Sequence, residues 1–173
     1  MTREAALRGE TGLVPQGDGW FVVNLREARW KENPRFGKSC AFEGDARFPH
    51  FGLNVHVLEA RQPACMYHRE SMQEDFLVLA GSCRVIIEGR ERALKQWDLV
   101  HCPPDTNHVF VGGDDGPCAI LMIGSRHEPE AIVYPVDPVA QQFGAGVDEE
   151  TPDPRVAYAG TPPSTDVACP WPA

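Results

Sequence analysis

Short apolar runs separated by turn residues fill the middle of the chain. Over residues 52–58 apolar and polar side chains alternate with the period of two that is typical of a β-strand. Further short apolar runs follow, each ending at Gly, Pro or a charged turn: 76–79, 83–87, 99–102, 109–111 and 119–123. Because no helical period separates the runs, the pattern predicts an all-β antiparallel sandwich or barrel instead of alternating strands and helices.

The N-terminal part of the chain lacks this regular pattern. Residues 1–19 are polar and rich in glycine, which predicts an arm, and residues 20–25 are a candidate first strand. Residues 26–50 mix charges, Gly and Pro without a clear period. We therefore assign residues 1–49 to an N-terminal arm with edge strands and residues 50–124 to the barrel.

The C-terminal extension, residues 125–173, is rich in proline, with nine of the sixteen prolines from Pro129 onward. Segments 137–144 and 153–160 both begin with Asp-Pro and end with Gly, which predicts two short helices with Asp137 and Asp153 as N-caps. Residues 161–173 are predicted to be irregular, either disordered or extended as a strap across a neighbouring surface.

Length and charge narrow the function classes. A chain of 173 residues fits one domain, and its net charge of −9 repels nucleic-acid phosphates and anionic membranes. No apolar run is long enough to span a membrane, and the first residues do not resemble a signal peptide, so we expect a cytoplasmic protein. The six cysteines include no CxxC pair, which favours reduced, buried thiols.

Four side chains in two segments suggest metal chemistry. His68 and Glu70 are two residues apart, so a strand would point both to one face. Glu74 follows a short turn, and a hairpin there would bring it beside them. His108 comes after a Pro-Pro turn that leads into another strand. Two imidazoles and two carboxylates that converge inside a barrel would suit a divalent transition metal.

The first of these segments resembles the first motif of the cupin superfamily. That motif reads Gly, then His-x-His, three or four residues, Glu, six residues, Gly; where the opening Gly is expected, this chain has Gln62-Pro63 and no Gly. This chain has His68-x-Glu70, three residues, Glu74, six residues, Gly81, so the spacing matches and Glu70 replaces the second histidine.

The second segment resembles the second cupin motif, which reads Gly, five residues, Pro-x-Gly, two residues, His, three residues, Asn. Here Pro103 and His108 match, whereas Trp97 and Asp105 stand where the family has glycine and Gly112 stands where it has Asn. Asp can adopt the left-handed backbone that glycine adopts, at some energetic cost.

The resemblance covers about residues 50–124 and implies a double-stranded β-helix, that is, a jelly roll. It also implies metal ligands at His68, Glu70, Glu74 and His108. With Glu70 as a ligand the shell around a divalent ion would be neutral instead of +1, which favours iron(II), manganese(II) or nickel, while zinc stays open. Alternatively, Glu70 stays off the metal and serves as a base in the pocket.

The resemblance further implies a small-molecule metalloenzyme: an oxidoreductase such as a dioxygenase, an isomerase or a lyase. The alternatives are a non-catalytic module that binds or senses a small ligand, and a metal that only stabilises the fold. Long arms that cross to a partner would make the protein a homodimer.

Other residues are weaker candidates. His56 could line the barrel, although a histidine at such a position is more often a hydrogen-bonded core residue. Tyr67 has the opposite strand parity to His68 and is expected to pack elsewhere. Arg84 and Arg92 could bind a substrate carboxylate, but the acidic composition favours surface ion pairs for both.

Overall fold

The computed structural model describes residues 1–127 and 129–170, and within them the chain is almost entirely β. The strands in chain order are β1 (Ala6–Arg8), β2 (Val14–Gln16), β3 (Trp30–Asn33), β4 (Gly37–Ala41), β5 (Phe51–Leu58), β6 (Arg69–Glu70), β7 (Glu74–Ala80), β8 (Ser82–Ile87), β9 (Arg90–Lys95), β10 (Leu99–Cys102), β11 (His108–Gly112), β12 (Cys118–Ser125), β13 (Ile132–Val133) and β14 (Thr165–Val167). Two short helices, α1 (Pro138–Gln141) and α2 (Pro154–Ala157), lie between β13 and β14. Neither helix is long or apolar enough to cross a membrane.

Two antiparallel sheets face each other across the core. The larger sheet has the order β10-β7-β12-β5-β4-β3-β14, and the smaller has the order β11-β8-β9. Phe76, Val78 and Ile120 of the larger sheet pack against Val85 and Phe110 of the smaller one. The predicted all-β jelly roll is confirmed, and the six strands predicted for residues 52–123 are all present.

A tight turn joins β8 to a strand that the sequence pattern did not predict. Glu88 and Gly89 have φ of 47° and 71°, the left-handed pair that a two-residue hairpin turn of type I′ requires. The turn pairs Ile87 with Arg90 and starts β9. Strand β9 forms the edge of its sheet, and most of its side chains are exposed and charged. Its sequence therefore lacks the alternation of apolar and polar residues that predicts a strand.

The structure of residues 1–49 differs from the one predicted from the sequence. Residues 20–25 do not form a strand; Val23 and Leu25 instead cover the outer face of the larger sheet, beside buried Trp30. The indole Nε1 of Trp30 donates to the Leu25 carbonyl at 2.8 Å. Strands β3 and β4 fall in the segment without a clear period, and the predicted arm contains the β1–β2 hairpin.

Both predicted helices are confirmed with their caps. The Asp137 carboxylate accepts hydrogen bonds from the amides of Val139 at 2.9 Å and Ala140 at 2.8 Å. The Asp153 carboxylate accepts from the amide of Arg155 at 2.9 Å. Proline follows each cap at the first helical position, where its missing N–H costs nothing.

The expectation that residues 161–173 are irregular is wrong for residues 165–167, which form a strand, whereas 161–164 and 168–170 have no regular structure. Strand β14 pairs with β3, with Val167 opposite Trp30, and so completes the edge of the larger sheet. The Thr11 hydroxyl also donates to Asp166 at 2.7 Å. The strap thus lies on its own chain and lends no support to the predicted homodimer, which stays a prediction. Residues 171–173 lie outside the described residues.

An arginine–carboxylate pair joins the loop before β5 to the residue after β12. Arg126 donates through both terminal nitrogens to the Glu43 carboxylate, one bond measuring 3.0 Å, and also donates to the Phe48 carbonyl at 3.0 Å. The hydrogen bonds from Arg126 hold the pKa of Glu43 below its ordinary value. Both side chains are mostly buried, so this pair is expected to contribute to stability.

Replacing Glu43 with Gln is expected to lower the free energy of unfolding at neutral pH by about 1–2 kcal/mol. Because the folded-state pKa is depressed, this contribution is present above the pKa of the unfolded carboxyl and is lost as pH falls through the folded pKa. Urea unfolding of wild type and E43Q should therefore differ at pH 7 and converge in acid. The control E91Q removes the half-exposed partner of Arg84 and should cost less than about 1 kcal/mol. Equal losses for the two variants would contradict this assignment.

Candidate metal centre and its cavity

A cavity of about 270 Å³ opens between the two sheets. One part of its wall is apolar and includes Ala64, Phe76 and Met122. Another part carries His68, Glu70, Glu74 and His108, all four residues that the sequence suggested. The cavity is thus a partly apolar pocket with a few converging polar groups, which is the usual form of a small-molecule site.

The two histidines are brought together by the main chain. The amide of His68 donates to the carbonyl of His108 at 3.1 Å, and the amide of His108 donates to the carbonyl of His68 at 2.8 Å. This reciprocal pairing places the centres of the two imidazole rings 4.9 Å apart. Their spacing is therefore set by the main chain and does not depend on side-chain rotamers alone.

Left-handed residues shape the turns before His108. Asp105 and Trp97, at the two positions where the cupin motif has glycine, have φ of 65° and 76°. The turns keep the geometry of the motif without its glycines, at the steric cost that a side chain pays in this region.

Glu74 begins β7, which pairs with β10 on one side and β12 on the other. The predicted hairpin that would join it to the segment of His68 is not formed, because β6 pairs with β13 instead. Glu74 nevertheless reaches the histidines, with its Oε2 3.4 Å from the Nε2 of His108. Ligand atoms of His68, Glu74 and His108 all lie within 4.8 Å of one another.

Backbone hydrogen bonds orient both imidazoles for ligation. The Nδ1–H of His68 donates to the Met66 carbonyl at 2.8 Å, and that of His108 donates to the Thr106 carbonyl at 3.0 Å. With Nδ1 protonated, each neutral ring has its lone pair on Nε2, which lies 3.4 Å from Glu74 in His108 and 3.8 Å from Glu70 in His68. Metal-binding histidines commonly have such a supporting hydrogen bond.

Burial shifts the protonation of all three groups toward their neutral forms. It lowers the pKa of His68, and together with the nearby His68 it lowers the pKa of His108 to about 4. It raises the pKa of Glu74 to about 8, with further contributions from the charges of Glu70 and Glu130. Two imidazole lone pairs and a carboxylate oxygen thus converge without a cation of their own, and this donor set fits a divalent transition metal.

Glu70 lies close to this group without belonging to it. Its Oε1 is 3.8 Å from the Nε2 of His68, but the set of ligand atoms within 4.8 Å of one another does not include it. Burial raises the pKa of its carboxyl, and the charge of Glu130 adds to the effect. Ligation by Glu70 therefore stays a prediction, and its second role, as a base beside the metal, stays open.

Three residues of the cavity wall, Cys65, Asn54 and Arg47, were not predicted from the sequence, and His56 was only a weak candidate. Cys65 lies with its Sγ 3.7 Å from the Nδ1 of His68. Asn54 and His56 face the cavity from β5, and their alternation as polar residues on an inward-facing strand was the signal that could have identified both. Arg47 also lines the cavity, and nothing in its sequence context predicted that.

The remaining candidates lie elsewhere. Tyr67 packs away from the cavity, as expected, and its hydroxyl accepts from the amide of Gly89 at 3.1 Å. Arg84 makes the expected ion pairs, with Glu91 at 3.1 Å and Asp114 at 2.7 Å.

Comparisons with known proteins agree with this fold. Residues 54–124 match the family model of the cupin domain. The polyketide cyclase RemF from Streptomyces resistomycificus is similar with a TM-score of 0.54 and 16% identity, over 63% of this chain and 82% of that one. A sugar phosphate isomerase from a cupin superfamily, from Silicibacter pomeroyi, is similar with a TM-score of 0.50 and 23% identity, over 62% of this chain and 66% of that one.

At these identities the two structures support the fold alone, and this chain spans just under two thirds of the length of the isomerase. Comparison with curated proteins gives no match. The matched segment contains all four predicted site residues and the strands that surround the cavity. Residues 54–124 of this chain are therefore a cupin domain.

Proposed function

We propose that the protein is a metal-dependent enzyme that acts on a small oxygen-containing molecule bound in the cavity between its sheets. The observation that carries the proposal is the convergence of His68, Glu74 and His108, whose ligand atoms lie within 4.8 Å of one another. In this proposal the three residues hold a divalent transition metal, such as iron, manganese, nickel or zinc. Such an ion, when bound, polarises a substrate oxygen or activates dioxygen.

The surrounding residues are suited to binding and proton transfer. Phe76 packs on His108 with ring centres 5.1 Å apart, so it fixes that imidazole and keeps water from one side of the site. Glu70 lies on the wall of the same cavity, and its raised pKa makes its carboxylate a stronger base than an exposed one. In our proposal it accepts a proton from the bound substrate.

The reaction class within this proposal is an oxidoreductase such as a dioxygenase, an isomerase or a lyase. One of the similar structures is described as a sugar phosphate isomerase and another as a polyketide cyclase. Both descriptions concern enzymes of small molecules, which supports that coarse class without choosing among its reactions.

The test is to measure metal content and then activity. Protein purified without added metal is analysed for its elements, then reconstituted separately with iron(II), manganese(II), nickel(II) and zinc(II). We expect about one ion per chain, and oxygen uptake that depends on substrate would identify a dioxygenase. If no ion binds stoichiometrically even after reconstitution, the proposal is wrong and a metal-free ligand-binding module is the better description.

Replacing Glu70 with Gln should separate its two roles. Because Glu70 lies outside the three-residue group, we expect E70Q to keep its metal and to lose turnover by about 10²–10⁴-fold, the usual effect of removing a general base. Metal titration and steady-state kinetics measure the two quantities independently. E91Q, at an exposed glutamate of β9 outside the cavity, is the control and should change both only slightly. A weakened metal affinity in E70Q would instead identify Glu70 as the fourth ligand.

A further inference from the structure

The inward face of β5 presents two polar side chains to the cavity, Asn54 and His56. In the larger sheet β12 separates β5 from β7, with Asn54 opposite Met122 and Met122 opposite Phe76. Two strand spacings amount to about 10 Å, so this polar pair lies well away from the strand that carries Glu74. It is a second polar region within the same cavity.

His56 is bonded to Asn54 in a way that fixes both side chains. The Nε2 of His56 lies 3.1 Å from the Oδ1 of Asn54, so this nitrogen carries the proton and donates to the amide oxygen. The Nδ1 of His56 is buried and has no hydrogen-bond partner. Burial lowers the pKa of His56 to about 4, which keeps the ring neutral.

An unpaired buried acceptor costs stability, so His56 is a poor residue if packing is its only purpose. Its one hydrogen bond occupies the amide oxygen of Asn54 and thereby sets the orientation of the amide group. The Nδ2 of Asn54 then keeps two N–H donors on the cavity wall, and no described side chain or carbonyl accepts from them.

A positive charge lines the same cavity. The Arg47 guanidinium is exposed, and within residues 1–127 and 129–170 it makes no hydrogen bond or close ion pair, although its charge acts on Glu43 at longer range. Arg126, also in the wall, is instead held by Glu43. Arg47 is therefore available to a ligand, whereas the charge of Arg126 is already paired.

We propose that Asn54 and Arg47 bind an oxyanion of the substrate, a carboxylate or a phosphate group, while His56 acts as a positioning residue for Asn54. The inference rests on the proposed function, and it gives that function a substrate class. The substrate is a small acid that presents a second oxygen to the group of His68, Glu74 and His108. The N–H donors of Asn54 and a guanidinium without a hydrogen-bond partner among the described residues match the acceptor oxygens and the negative charge of such a group.

The test measures binding of inorganic phosphate and of succinate by calorimetry, with metal-free and metal-loaded protein. We expect at least one of the two to bind both forms. N54D and R47Q should each raise its Kd about 10-fold or more, and R92Q, at an exposed arginine of β9, should leave it within two-fold. The probe that binds more tightly shows which oxyanion the site prefers.

The positioning role of His56 needs its own readout. We expect the imidazole ¹⁵N resonances of His56 to show a neutral ring protonated at Nε2, and phosphate or succinate to shift the side-chain amide resonance of Asn54. H56F should raise Kd about 3–10-fold and abolish that shift. H56Q, whose amide can still donate to Asn54, should restore most of the affinity.

Two results would each refute the proposed oxyanion site. If neither anion binds, or if N54D and R47Q bind as wild type does, the oxyanion site is refuted. R47Q alters an exposed side chain and is expected to fold. Its Kd for the anions therefore tests the oxyanion site even if N54D does not fold. Anion binding by a protein that takes up no metal would refute the proposed metalloenzyme and leave this site standing.

Discussion

Replacement of His108 by alanine is expected to abolish stoichiometric metal binding while the fold is retained. The change removes one of two imidazole ligands, so affinity should fall by more than the roughly 10–100-fold that loss of a ligand's supporting hydrogen bond costs. The fold should survive because the bridge to His68 uses backbone atoms, which alanine keeps. Elemental analysis after reconstitution gives the metal content, and circular dichroism checks the fold.

The matched control for H108A is H101A. His101 lies on β10 and is half exposed, with its Nδ1 2.7 Å from the Oδ1 of Asp75. It does not belong to the group of candidate metal ligands. H101A should bind metal as wild type does. If H108A kept a full complement of metal, the assignment of the ligands would be wrong, since no other arrangement of the described His, Cys, Asp and Glu side chains offers three converging ligand atoms.

Truncation of Phe110 to alanine is expected to lower the free energy of unfolding by about 3–5 kcal/mol. Phe110 is 1% exposed and packs against Phe76 with ring centres 4.5 Å apart, where the two sheets meet. The change would leave a cavity at the centre of the jelly roll. For a domain of this size we expect the melting temperature to fall by roughly 10 °C, measured by calorimetry with metal-free protein.

Phe51 provides the comparison for F110A. It lies at the start of β5 and is 49% exposed, so F51A should cost less than about 1 kcal/mol. Similar losses in the two variants would show that the packing between the sheets is not what stabilises this fold. F110A should still bind metal at low temperature, because Phe110 supplies no ligand atom.

The strands around the core could be predicted because their buried apolar residues recur in the sequence at the spacing of a β-strand or as short apolar runs. The alternation over residues 52–58 and the apolar runs that follow correspond to strands that pack across the two sheets. The edge strands could not be predicted in this way. β9 is charged and exposed, and β14 is short and flanked by prolines, so both depend on backbone pairing with a neighbour that a local pattern does not reveal.

The candidate site could also be predicted from the sequence only in part. Spacing and family resemblance identified His68, Glu74 and His108, which the main chain and β7 bring together. The place of Glu70 could not be decided, because two residues of separation fix only the face of a strand and not the distance to a third group. Arg47 was missed because nothing in its sequence context marks it as a cavity residue, whereas the polar alternation on β5 could have identified Asn54.

The pairing of β14 with β3 has a consequence for synthesis on the ribosome. Strand β3 is made early, whereas its partner on that side is made more than a hundred residues later. Until residues 165–167 emerge, the nascent chain exposes an open row of amides and carbonyls next to Trp30 and its apolar neighbours. That interval is when a neighbouring nascent chain or a chaperone would compete for the edge, and a truncated product would keep it open permanently.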